Sequence, residues 1–171
     1  MINKSVKKSA VKKAVKKPAA RKAPAKKAPA KKTATKKADE PTFKLLQTAK
    51  CKTVSGKSDL TYSIAADDEG DAMIRIVSNT GGGYWSKEFV QVSNIVKVLG
   101  AVPEDQSISS VHLFKLFTGK SQNSPGFLLA VLIKEGLLVE GLKKRSYLVD
   151  RDGVDEFLNK LDELKASKQN D

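Results

Sequence analysis

Cysteine and histidine each occur once in the 171 residues, as Cys51 and His112. One thiol closes no disulfide within the chain, and without a Cys/His cluster there is nothing to build a structural zinc site. Long apolar runs are missing as well, and no segment reaches the length of a membrane span. Between Met1 and Ala38 there is no apolar core of the kind a secretory signal needs. A mitochondrial presequence is Arg-rich and amphipathic, whereas this segment is Lys-rich with one Arg. The expectation is a soluble intracellular protein. Catalytic pairings are equally scarce. Local sequence places no Ser or Cys beside His112, and no paired carboxylates stand at apolar positions. The chain is therefore expected not to be an enzyme and to need no cofactor or metal.

The sharpest absence is local. Residues 1–38 contain no Asp, no Glu and no aromatic residue, yet they carry fifteen basic side chains, fourteen Lys and Arg21. The whole chain has a formal charge of +13, so residues 39–171 hold 17 basic against 19 acidic groups, a net of −2. Positive charge belongs to the tail and not to the body. Lys7-Lys8 and Lys12-Lys13 precede a regular series of doublets, Lys16-Lys17, Arg21-Lys22, Lys26-Lys27, Lys31-Lys32 and Lys36-Lys37, separated by three-residue spacers of Ala, Pro and Thr. A five-residue step advances about 500° around an α-helix, so the doublets spiral and no apolar face forms. Pro18, Pro24 and Pro29 disfavour helix, and like charges at short spacing repel. Residues 1–40 are expected to be a disordered tail.

A disordered cation suits a polyanion. Each phosphate neutralised by Lys releases condensed counterions, and a log-log salt slope approaching about −13 follows if all fifteen charges engage duplex DNA. Reading a base sequence needs Arg, Asn or Gln on a rigid element, which flexible lysines do not supply. Binding with little sequence preference is expected, to DNA ahead of RNA. The run AVKKPAARKAPAKKAPAKKTATKK, residues 14–37, resembles the Lys/Ala/Pro tails of linker histones and of the linker-histone-like proteins of bacteria. That resemblance implies non-specific DNA compaction or bridging. It also implies a cytoplasmic, nucleoid-associated location, or a nuclear one in a eukaryote.

Residues 41–165 have the composition of a single globular domain, and every aromatic residue lies between Phe43 and Phe157. The fold class expected is α+β, an antiparallel β-meander followed by helices and a hairpin. Short alternation over Phe43–Thr53, Leu60–Ala65 and Met73–Val77, with turn chemistry at 55–59 and 67–71, makes 43–90 the β-rich part, closed by a strand through Phe89 and Val90. Val92, Ile95, Val96 and Leu99 mark a first helix. Ser107 or Ser109 caps a second carrying Val111, Phe114 and Phe117, and Ser124-Pro125 opens a third that runs to Gly136 and is buried. A last helix over 154–165 has Phe157, Leu158, Leu161 and Leu164 on one face, with a flexible end at 166–171.

Three helices and then a hairpin with a basic tip, in the stretch 92–150, resemble a winged-helix domain. The resemblance implies contact with nucleic acid through the tip Lys143, Lys144 and Arg145, with Ser121, Gln122 and Asn123 at the start of the third helix. That helix offers only Lys134 as a cation, so it is alternatively a core helix or a dimer seam. In the segment SerAsnThrGlyGlyGlyTyrTrp, residues 78–85, Tyr84 and Trp85 are either a stacking surface for a splayed base beside Lys87 or core aromatics next to a glycine bulge. GlyLysSer at 56–58 lacks the earlier glycine of a phosphate-binding loop, whose place is taken by Cys51, and is read as a hairpin turn. The acidic run Asp67, Asp68, Glu69 and Asp71 does not fit a calcium loop and is read as a solvated turn able to hold the tail back electrostatically. A competing function is a protein-interaction module, pairing with a partner protein or with a second copy as a homodimer, that the tail anchors to DNA or RNA.

Overall fold

Three stretches in which apolar residues recur at every second position become the long strands of one antiparallel sheet. In the computed structural model, which describes residues 43–119 and 121–169, these are β1 (Lys44–Lys52), β2 (Asp59–Ala66) and β3 (Ala72–Asn79). The two-residue β4 (Val90–Gln91) pairs with β3, giving the order β1-β2-β3-β4. The expected disordered tail and every cation assigned to it lie outside the described residues. So does any contact between that tail and the acidic turn.

β2 runs between two neighbours and is buried almost throughout. Its inward residues Leu60, Tyr62 and Ile64 join Ile74 and Ile76 of β3 in the core. The 53–58 turn closes with Thr53 and Ser58 paired through their backbones and Gly56 at φ 70°, and a Lys52–Asp59 ion pair of 2.7 Å holds its neck. GlyLysSer is thus a hairpin turn. At the other end the Asp67 carboxylate accepts the N–H groups of Glu69 and Asp71, at 3.1 and 2.8 Å, and the acidic run is a surface turn.

Helices follow the sheet, so the α+β class holds. α1 (Val92–Gly100) buries Val92, Ile95, Val98 and Leu99. The second helix differs from expectation: it is a 3-10 helix, Ser110–Leu116, in which Ser109 and His112 form a reciprocal cap. With three residues per turn, Val111 and Phe114 line up on one face, and that face points away from the core. Leu113 is buried instead, while Val111 and Phe114 stay 70% and 37% exposed. His112 therefore has a serine neighbour after all, within a helix cap.

α2 (Ser124–Lys134) is buried through Leu128–Leu132 by this chain's own core, which removes the dimer-seam alternative. Ser124 is its first residue and not its cap. Its buried hydroxyl accepts the N–H of Ser86 at 2.7 Å. β5 (Leu138–Glu140) and β6 (Tyr147–Val149) form the expected hairpin, and Ile108 adds a bridge to Tyr147 through backbone bonds of 2.7 and 3.2 Å. α3 (Arg151–Gln169) starts earlier and runs further than 154–165. The segment expected to be a flexible end continues the helix to Gln169, because Ala166, Lys168 and Gln169 are good helix formers. Its first turn depends on a close approach: a Cβ on Gly153 would overlap the carbonyl oxygen of Gly136, itself at φ 85°.

Candidate nucleic-acid interface

Two sets of residues that lie far apart in sequence meet at the start of α2. The loop after β3 turns on glycine: a Cβ at Gly81 would stand 2.8 Å from Ser58, and Gly82 and Gly83 have φ of 71° and 86°. Tyr84 then presents its backbone carbonyl to the Ser121 hydroxyl, at 3.0 Å, and to the Asn123 amide, at 2.9 Å. With the Ser86–Ser124 bond, this fastens the Tyr84 loop to residues 121–124. Tyr84 is 75% exposed, so its ring is free to stack. Trp85 is not. It is half-buried against the core and its indole N–H donates to the Ile76 carbonyl at 3.4 Å, the arrangement of a core aromatic next to the glycine loop.

Glu88 completes the fastening. Its carboxylate accepts the Ser86 hydroxyl at 2.7 Å, the N–H groups of Thr118 and Gly119 at 3.2 and 3.1 Å, and the Thr118 hydroxyl. Partial burial pushes the Glu88 carboxyl up, but these donors outweigh it and hold the group below its ordinary value.

The hairpin tip supplies the charge. Lys143, Lys144 and Arg145 line a cleft of about 440 Å³ with Val54, Ser55 and Lys57 from the 53–58 turn. Glu140 is the carboxylate in that lining, against four cations. A second hollow joins it, in which Arg145 and Ser55 face Gln122, Asn123 and Gly126 at the start of α2. The structure thus brings together the tip and the 121–123 segment. It adds Lys57, which the sequence reading missed because that turn was weighed only as a nucleotide loop against a hairpin turn.

Arg145 has φ 63°, the one non-glycine residue in the left-handed region among those described. An L-residue there costs about 1–2 kcal/mol, so the tip carries this side chain at a cost in stability. The tip is otherwise tightly built. Gly141 N–H donates to the Ser146 carbonyl at 2.8 Å, Ser146 N–H donates to Lys143 at 3.0 Å, and burial followed by Glu140 raises the Tyr147 hydroxyl.

Exposed Lys and Arg over a concave surface make contacts to phosphate oxygens, which position a nucleic acid without reading it. α2 does not present a reading face, since its buried residues leave only Lys134 as an exposed cation. Cys51 sits half-buried on β1, where burial and then the Glu135 charge push its thiol up to about 11, away from reactivity. No helix among the described residues is long and apolar enough to cross a membrane. No protein-family model, curated protein or solved structure matches the chain.

Proposed function

We propose that this chain binds nucleic acid, duplex DNA foremost, with little sequence preference, in the manner of histone-like, nucleoid-associated proteins. The observation that carries the reading is the fifteen basic side chains of residues 1–38 with no acidic residue among them. That arm supplies affinity by counterion release. The body supplies orientation through the basic cleft at the hairpin tip. Supporting a winged-helix-like role for 92–150 are the order helix, bridge strand, short helix, helix and hairpin, and the pairing of Ile108 with the second hairpin strand. In this reading the tip acts on phosphates and α2 acts as a core helix.

The test is a salt-dependent titration of full-length protein and of protein lacking residues 1–38, against duplex DNA and duplex RNA. Deletion is expected to flatten the slope by up to about 13 and leave weak residual binding. Unchanged affinity and slope after deletion defeat the proposal. A protein-interaction role for the body is favoured by one observation, the exposed Val111 and Phe114 on the 3-10 helix. A truncated body with no residual DNA binding, but with a partner that is lost on changing those two residues, supports that second reading.

A further inference from the structure

The sheet has a second face, which the site above does not use. Strand register sets Leu45 opposite Ala65, Thr48 opposite Ser63 and Lys50 opposite Thr61, and Ser63 in turn opposite Arg75. Ser63, Ala65 and Arg75 stand outside the hydrophobic core that the other face of the sheet shares with the helices. Thr48 and Lys50 are exposed, and so are Phe43, Leu45 and Val77. At its centre the Phe43 and Phe89 rings meet at 4.3 Å with their planes tilted by 41°, and the Arg75 guanidinium lies 4.5 Å over Phe89. Among the described residues Arg75 has no carboxylate partner. Its Nε and the hydroxyl of Ser63, which is 2% exposed, are buried polar atoms without hydrogen-bond partners. Such orphans are rare in folded proteins and call for an explanation.

We infer that this face is a stacking platform for unpaired nucleobases, so that the body holds single-stranded nucleic acid on its sheet and duplex phosphates at its hairpin tip. The inference rests on the proposed nucleic-acid function and extends it to a second form of ligand. Charge selects the occupant. The face carries Lys50 and Arg75, and its carboxylate Asp59 is already neutralised by Lys52 at 2.7 Å. A second copy would set like charges together, and the Lys-rich arm of this chain would be repelled in the same way. An anion is required, and the exposed Phe43 ring beside Phe89 and Arg75 asks that it also carry planar groups to lie against it. A single strand offers both, since every base has a face to stack and every linkage a phosphate. A duplex hides its base faces and leaves the rings unused. Arg75 turning toward a bound phosphate gives its Nε an acceptor and lets the Ser63 hydroxyl donate as well.

Fluorescence anisotropy of full-length protein tests this with an oligothymidylate of about 20 nucleotides and a duplex of about 20 base pairs. The double variant Phe43→Ala/Lys50→Ala is expected to weaken single-strand binding about tenfold and duplex binding less than about twofold. Arg145→Ala is expected to do the reverse. Unchanged single-strand affinity, or equal loss for both ligands, overturns the inference. Phe43 packs on Phe89, so a second measurement uses the unaltered protein and a strand carrying 5-iodouracil. Photo-adducts at Phe43 or Phe89 support the platform, and adducts confined to other segments overturn it. Wild-type protein that binds neither ligand overturns the proposed function along with the platform. Wild-type protein that binds both, with an indifferent double variant and no adduct on the sheet, overturns the platform alone.

Discussion

Replacing Arg145 by glycine separates stability from binding at the hairpin tip. The residue is exposed and its backbone sits at φ 63°. Relief of that conformation is worth about 1–2 kcal/mol, and the extra freedom glycine gives the unfolded chain takes back about 0.5–1 kcal/mol. A net gain of about 1 kcal/mol is expected for Arg145→Gly, or a melting temperature roughly 2 to 5 °C higher for a domain of this size. Arg145→Ala removes the same charge and keeps the same strained φ, so it gains nothing. Both variants lose one phosphate contact. The salt slope then flattens by about 0.9, and affinity at about 0.1 M salt falls by roughly eightfold. Thermal melts by circular dichroism and salt titrations on duplex DNA measure the two effects on the same samples. A glycine variant no more stable than the alanine variant refutes the strain argument. Two variants that bind like wild type, with an unchanged slope, refute Arg145 as a phosphate contact.

Gly153→Ala forces a methyl group onto the Gly136 carbonyl oxygen, so the start of α3 must move away from the turn after α2. A loss of about 3 kcal/mol is expected in urea unfolding, and a loss under about 1 kcal/mol means the helix start yields freely. Glu88→Gln keeps the shape of the clip on Thr118 and Gly119 and removes its charge, for an expected loss of about 1 kcal/mol at neutral pH, discounted because the site is partly exposed. The Glu88 carboxyl is held below its ordinary value of 4.5. Its contribution is therefore complete above that pH and is lost as the pH falls through the folded value. Urea midpoints of wild type and variant should converge on acidification, and a gap that stays constant from pH about 7 to about 3 contradicts the clip.

Strands were the most legible part of the fold, because a period of two with turn chemistry at both ends leaves few alternatives. The meander appears with boundaries close to those read from Phe43–Thr53, Leu60–Ala65 and Met73–Val77. Misreadings gathered where local signals compete. Ser109 begins a helix as expected, but His112 reaches back to its N–H, and the segment closes as a 3-10 turn before an α-helical face is established. Ser124 carries a capping side chain just before a proline, yet it is the first helical residue and its hydroxyl is claimed by Ser86, from the loop 38 residues earlier. No local rule anticipates a partner at that distance.

The same distinction governs the site. Composition alone reveals the basic arm, because fifteen like charges need no tertiary structure to be counted. The cleft is different: the basic tip Lys143, Lys144 and Arg145 stands out in the sequence, but the body's net charge of −2 does not announce a wider anion site around it. Folding overturns that average. The 53–58 turn and the 141–146 tip, almost ninety residues apart, place four cations around one carboxylate, a local charge of about +3 within an overall negative body. At physiological salt, fields fade over about 8 Å, so a ligand at the cleft responds to that local charge and hardly to the distant carboxylates. Under the proposed function, an arm that holds DNA would raise its effective concentration at the body by tethering, and contacts too weak to capture a duplex from solution would then suffice to fix its orientation. A weak, geometrically fixed cleft is what a body joined to such an arm needs.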